Sequence, residues 1–266
     1  MKNASEASRG FGDGENGQCV PNLPVITLLT DFGTADYFAG AVKGAILSVN
    51  PRAVIVDITH EIPPQDIEAG AFTLLAAYKT FLAGTIHVGV VDPGVGSERR
   101  PIIVSANGQF FVGPDNGLFT YIYDREPSHR IVHVTSDRYF RQERSSTFHG
   151  RDIFAPVAAA LSNAVALEEF GVEIDDEVRL PSLESPPRII HIDRFGNCVT
   201  NIIRESGKNL VINGQTISER RRFYGEGDDE SLFAIWGSAG FLEISVNGGS
   251  AAKVLGVKRG DEVSFT

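Results

Sequence analysis

Thr85–Arg100 reads TIHVGVVDPGVGSERR. Ile86, Val88, Val90 and Val91 form the apolar run of a buried strand. The run stops at Asp92-Pro93-Gly94, where proline restricts φ and withdraws a backbone donor. Gly94 and Gly96 permit close approaches that a Cβ forbids. A carboxylate therefore stands at the carboxyl end of a core strand, and a tight loop returns Arg99 and Arg100 beside it. Ligands bind at that end of the strands in open α/β sheets. Taken alone, the same turn also reads as a simple strand stop whose Asp caps local amides.

Working outward, the upstream chain repeats the strand-then-helix pattern. Val25–Thr30 is a short β-branched and leucine-rich strand that runs into Asp31-Phe32-Gly33. Phe38, Val42, Ala45, Ile46 and Val49 recur at helical spacing, with Asp36 as the expected N-cap and Asn50-Pro51 as the stop. Val54–Ile58 is a second strand, and Asp66 opens a second helix through Lys79. The order β-α-β-α-β predicts parallel strands joined by right-handed crossovers. Downstream, the sequence predicts strands at Pro101–Val104, Phe110–Val112 and Ile131–Val134, and a helical turn at Leu118–Tyr123. Ser145–Asp152 leads into an apolar helix at Ile153–Leu161.

Near Leu180 the pattern changes. Pro181, Ser182, Ser185, Pro186 and Pro187 punctuate the chain, and short β-like runs separated by glycine turns follow. The expected fold is thus an α/β N-terminal domain with a mainly parallel sheet over 24–184. A smaller all-β domain, a sandwich or barrel, occupies 185–266. Residues 1–23 are polar, glycine-rich and lack an apolar core, which predicts a disordered extension. Glu219–Arg222 and Glu226–Glu230 read as a solvated hairpin tip.

Composition removes several classes of function. The 266 residues carry a net charge of −10, which argues against the clustered cations of a nucleic-acid footprint. Two cysteines, Cys19 and Cys198, do not make a disulfide framework or a structural zinc site. No apolar run is long enough to span a bilayer and no secretory signal is visible, so the expected location is the cytoplasm.

Polar residues gather at the predicted strand ends: Asp31, Asp92 with Arg99, Asp115-Asn116, and His149 with Arg151 and Asp152. Together on one sheet edge they point to a site. The chain lacks GxGxxG, Walker, GxSxG and HExxH motifs. From the residues alone, a metal-dependent hydrolase of a nucleotide-like substrate is one reading, because Asp and His ligands suit a divalent ion. A binding protein without turnover is another.

Five motifs in order sharpen this picture. TDFG at Thr30–Gly33, VDPGVGSERR at Val91–Arg100, PDNG at Pro114–Gly117, STFHGRD at Ser146–Asp152 and DRFGNCVTN at Asp193–Asn201 stand in sequence. The chain over residues 24–266 resembles the adenosyl-forming S-adenosyl-L-methionine (SAM) hydrolases, relatives of the fluorinase and chlorinase enzymes. The resemblance implies attack of water on the ribose C5′ of SAM, giving adenosine and L-methionine without a cofactor or metal. It places Asp92, Arg99 and His149 around that water. Halogenating relatives carry Tyr where Asp92 stands and Ser where Gly150 stands, which implies water rather than halide as the nucleophile. By the same resemblance Asp31 holds the ribose hydroxyls and Asp193 the methionine ammonium. Asn197 lies near the adenine or amino-acid end, Phe148 and Phe195 form apolar walls, and Phe223 or Tyr224 stacks on adenine. Ser238 and the backbone at Ala252 belong to the adenine-binding part, whereas Ala239 replaces an Arg of some relatives. The resemblance further implies a homotrimer with each pocket between two subunits.

Overall fold

The computed structural model describes residues 23–204, 207, 209–226 and 230–266. The predicted extension therefore lies outside the described residues, apart from exposed Leu23. In the N-terminal region the elements are β1 (Val25–Thr30), α1 (Phe38–Val49), β2 (Val54–Thr59), α2 (Ile67–Tyr78), β3 (Ile86–Val90), β4 (Pro101–Ala106), β5 (Gln109–Pro114), α3 (Thr120–Arg125), β6 (Arg130–Val134), α4 (Ala155–Ser162) and β7 (Gly171–Ile174). One seven-stranded sheet forms in the order β2-β1-β3-β5-β4-β6-β7. Strands β2, β1, β3 and β5 are mutually parallel, and β4 is inserted antiparallel between β5 and β6. The mainly parallel sheet is as expected. The antiparallel insertion follows from the two-residue turn Asn107-Gly108, both at positive φ, which makes β4 and β5 a hairpin.

Strand alternation decides the layers. Ile26, Leu28, Val88 and Val90 pack with Val42, Ala45 and Ile46 of α1 and with α4 on one face. Leu29, Val104 and Phe111 pack with Leu74, Leu75 and Tyr78 of α2 and with α3 on the other. Asp66 caps α2 by accepting from the Ala69 amide at 3.0 Å. The expected cap of α1 is different: Tyr37, not Asp36, occupies the N-cap and makes no side-chain bond there. The predicted helix at Ile153 begins as a π-helical turn over Gly150–Phe154 before α4 continues it.

The C-terminal region contains β8 (Ile189–Ile192), β9 (Cys198–Thr200), β10 (Leu210–Ile212), β11 (Gln215–Ile217), β12 (Arg220–Arg221), β13 (Leu232–Trp236), β14 (Leu242–Val246), α5 (Ala251–Leu255) and β15 (Ser264–Phe265). A five-stranded sheet, β12-β13-β14-β9-β8, faces a three-stranded one, β11-β10-β15, across a core that includes Ile189, Leu210, Leu242 and Ile244. This is the β-domain expected, with one short helix added between Ser250, its N-cap, and Gly256 at φ 63°. The predicted solvated tip is corrected in part. Arg221 is buried, with its guanidinium on Glu219 and Ser231 and over the Phe233 ring, because Arg220–Arg221 pairs beside β13. Residues 227–229 of that stretch lie outside the described residues.

The two regions share a seam. Phe72 stacks on His191 with ring centroids 4.5 Å apart, and Arg188 bonds Glu68 at 2.7 Å.

Candidate active site

The carboxyl ends of β1 and β3 lie side by side, so Asp31 and Asp92 emerge at one edge of the sheet. The Asn116 amide donates to the Val91 carbonyl at 2.9 Å and fixes the strand end just before Asp92. After Asp92 the chain coils on itself: the Val95 amide bonds the Asp92 carbonyl at 3.2 Å and the Ser97 amide bonds Gly94 at 3.0 Å. Gly96, at φ 81°, passes directly beneath the Ser146 carbonyl, where no Cβ fits. That turn brings Arg99 back onto Asp92.

Arg99 Nε lies 3.0 Å from each Asp92 oxygen, and Nη2 also contacts Oδ2. The same Nη2 is 2.8 Å from His149 Nδ1. The guanidinium rests over the Phe154 ring, and the Asp92 and Arg99 side chains are only 5% and 9% exposed, so solvent screens the pair poorly. A guanidinium only donates, so His149 Nδ1 accepts and the neutral imidazole carries its proton on Nε2. Burial first, and then the Arg99 charge, hold the His149 pKa below its ordinary value.

This sets a pH expectation. On acidification the unfolded chain binds a proton at the ordinary histidine value of 6.5 while folded His149 resists it, so stability declines below that pH. Protonation of Nδ1 breaks the Arg99 bond, and the acid limb of kcat/KM should fall below pH 6.5. A limb at or above that value would show that the imidazole is not held neutral.

His149 is placed by its neighbours. Asp152, fully buried, accepts from the Ser145 amide at 2.8 Å and pairs with Arg151 and Arg141, which anchors the loop before His149. Phe148 is buried against Phe32 and Phe38 at 5.9 and 5.2 Å between ring centroids. Asp31 accepts from the Gln65 amide at 2.8 Å. Asp31, Asp92, Phe148 and His149 line one recess of about 60 Å³.

The other predicted residues form a second group. Asp193, Phe195, Asn197, Tyr224 and Ser238 line a cavity of about 830 Å³, together with Glu243 and the turn at 246–250. Asp193 Oδ1 accepts from the Phe195 and Asn197 amides at 2.9 Å, and Oδ2 from the Asn197 side chain at 2.8 Å. Phe223 is exposed and stands outside the cavity lining. Ala252 also stands outside it; its amide donates to the Gly196 carbonyl at 3.0 Å and is spent in that contact. Among the described residues, none lines both the recess and the cavity.

Profiles of the family's two domains match this chain. The one described as the SAM hydroxide adenosyltransferase N-terminal domain matches residues 26–171, and the C-terminal one matches residues 187–264. The chain belongs to the SAM hydroxide adenosyltransferase family.

Within this family it is 39% identical over 261 residues to the (R)-S-adenosyl-L-methionine hydrolase of Methanocaldococcus jannaschii, covering 91% of this chain and 96% of that one. A fluorinase of Nocardia brasiliensis is 26% identical, with 90% and 96% covered. A crystal structure of an uncharacterized conserved protein from Thermotoga maritima superposes with a TM-score of 0.84 at 34% identity, covering 90% of this chain and 99% of that one.

The SAM hydroxide adenosyltransferase fold also separates structural polar groups from the rest. Asp115 is buried under Arg100, at 2.8 Å from its Nε, and also accepts from the Val178 amide at 2.9 Å, so it braces the sheet edge. Arg151 and Asp152 bond each other. Among the described residues no three His, Cys, Asp or Glu side chains gather as ligands for an ion. Sequence reasoning missed Glu243, although a lone acid inside the apolar run LEISV was the signal for it.

Proposed function

We propose that the protein hydrolyses SAM to adenosine and L-methionine, with Asp92, Arg99 and His149 holding the attacking water. The observation that carries this reading is the guanidinium of Arg99 shared between a carboxylate and the Nδ1 of a neutral imidazole in one recess. The kinship with hydrolases acting on (R)-S-adenosyl-L-methionine supports it.

The chemistry follows from these groups. Water attacks C5′, the C5′–S bond breaks, and its electron pair leaves on a neutral thioether. No general acid is needed. Bulk water, with a pKa of about 15.7, is a poor nucleophile until a base shares its proton. His149 Nδ1 is occupied by Arg99, and its Nε2–H can only donate. Asp92 is therefore assigned as the proton acceptor, Arg99 as the stabiliser of hydroxide character, and His149 Nε2 as a donor that orients the oxygen. Hydroxide and sulfonium neutralise each other as they react, so a dry site favours the step. The guanidinium occupies the position between Asp92 and His149 that a cation would take, which supports a metal-independent reaction.

The recess of about 60 Å³ has room for water but not for SAM, while the cavity of about 830 Å³ suits a ligand of that size. We assign a composite site in a homotrimer, with the recess of one subunit set over the cavity of its neighbour. Exposed Tyr37, Phe195 and Tyr224 beside the two halves fit burial on assembly. In that arrangement Asp31 bonds the ribose hydroxyls. Phe148 and Phe195 wall the substrate, Tyr224 stacks on adenine with Ser238 in the same part, Asp193 meets the methionine ammonium, and Asn197 stands near the adenine or amino-acid end.

Incubation of the purified protein with SAM should release adenosine and methionine in equal amounts, with the rate unchanged by chelators. Chloride or fluoride should yield no halogenated nucleoside. Loss of activity on chelation would return the assignment to a metal-dependent hydrolase, and tight SAM binding without adenosine would make it a binding protein.

A further inference from the structure

The turn that carries Asp31 and Phe32 into the recess is held from behind by a side chain outside the recess. His60 follows β2, is only 4% exposed, and lines neither the recess nor the large cavity. Its Nδ1 lies 2.8 Å from the Thr30 hydroxyl. Its Nε2 lies 3.2 Å from Asp57 Oδ1, a charge contact rather than an aligned hydrogen bond. Lys43 of α1 holds the other Asp57 oxygen at 2.6 Å. Thr30, wholly buried at the end of β1, accepts from the Phe32 amide at 3.2 Å. The His60 backbone joins the same turn, its carbonyl accepting from the Gly33 amide at 2.7 Å.

These contacts fix direction as well as place. A carboxylate beside Nε2 keeps the ring hydrogen there, so Nδ1 accepts and the Thr30 hydroxyl donates to it. With its hydrogen spent on His60, the hydroxyl turns its lone pairs to the Phe32 amide. That amide belongs to the peptide bond directly after Asp31, so its orientation sets where the Asp31 carboxylate points. A buried ring nitrogen without an aligned bond costs free energy, so packing alone does not account for a histidine here.

We propose that His60 is a positioning residue for the reaction, acting through the Thr30 hydroxyl to aim Asp31 at the ribose hydroxyls of the substrate. This rests on the SAM reading above. The ligand feature it serves is a vicinal diol. Loss of the relay is therefore felt by nucleosides that carry the diol and not by those that lack it.

The test is calorimetric binding of adenosine and of 2′,3′-dideoxyadenosine to wild type, His60→Leu, Thr30→Val and His60→Asn, with adenosine release from SAM followed in parallel. Wild type should bind adenosine about 10- to 100-fold more tightly than the dideoxy nucleoside, the range for hydrogen bonds to a charged group. His60→Leu and Thr30→Val should each lose most of that ratio while binding the dideoxy nucleoside as wild type does. His60→Asn, whose side-chain oxygen can accept from Thr30, should recover it. A merely structural histidine would weaken both nucleosides by the same factor, and that result overturns the inference. Equal affinity of wild type for the two overturns it without any variant. Should His60→Leu fail to fold, Thr30→Val and His60→Asn decide in its place. A wild type that shows the ratio yet releases no adenosine from SAM would defeat the hydrolase reading and leave the His60 assignment standing.

Discussion

Asp92→Asn should lower kcat for SAM hydrolysis about 10²–10⁴-fold, the span typical of a lost general base, while the Kd for SAM changes little. Asparagine keeps the shape of the side chain and one acceptor. Its amide, however, turns a donor toward Arg99 and no longer takes a proton from water. Stopped assays of adenosine, alongside calorimetry, separate the two effects. Parallel losses in kcat and binding would show that Asp92 holds substrate rather than activates water. The same variant tests the composite site. Asp92→Asn and Asp193→Ala each disable a different half, so mixing the two inactive proteins should restore activity only if a pocket borrows its halves from different subunits. An inactive mixture that has exchanged subunits would place both halves in one chain.

Gly96→Ala is expected to be the most damaging substitution outside the reacting groups. At φ 81° an alanine costs about 1–2 kcal/mol in backbone strain alone. Its Cβ would also collide with the Ser146 carbonyl, a backbone group that no rotamer can move aside. Ser146 lies on the loop that delivers His149, so relief of the clash shifts the imidazole from Arg99. Misplacement on the ångström scale costs on the order of 10² in rate. The expected result is a kcat/KM lower by about that factor. The midpoint of thermal unfolding should fall by about 2–6 °C, since each kcal/mol lowers it by a few degrees. Gly40→Ala, in α1 with open space at its Cβ, serves as the comparison and should be neutral or stabilising. A Gly96→Ala enzyme with wild-type rate would show that the two loops are not coupled.

Much of the architecture was readable before any coordinates. The largely continuous apolar runs at Val25–Thr30 and Ile86–Val90 mark strands with two buried faces, and helical spacing in Phe38–Val49 marks the layer that covers one of them. The short elements were less legible. α5 has five residues and β12 has two, too few for a period to establish itself. Asp36 looked like a cap by residue type, but capping needs a backbone geometry that Tyr37 reaches instead. The π-helical turn at Gly150–Phe154 has no local signature, because it follows from how Asp152 is anchored to Ser145 and Arg141.

The sequence by itself determined the order of elements, the acid at the end of the central strand and the five motifs that place the chain in its family. These are local properties: propensity, alternation and the rigidity of Pro-Gly turns act over a few residues. Only tertiary structure decided which acids are free. It shows Asp115 and Asp152 consumed by arginines, brings Arg99 between Asp92 and His149 across fifty residues of chain, and sets Glu243 in the cavity wall with Tyr224 on one of its oxygens. The reason is that a carboxylate's chemistry depends on its burial and its neighbours in space, and neither is written in its spacing along the chain.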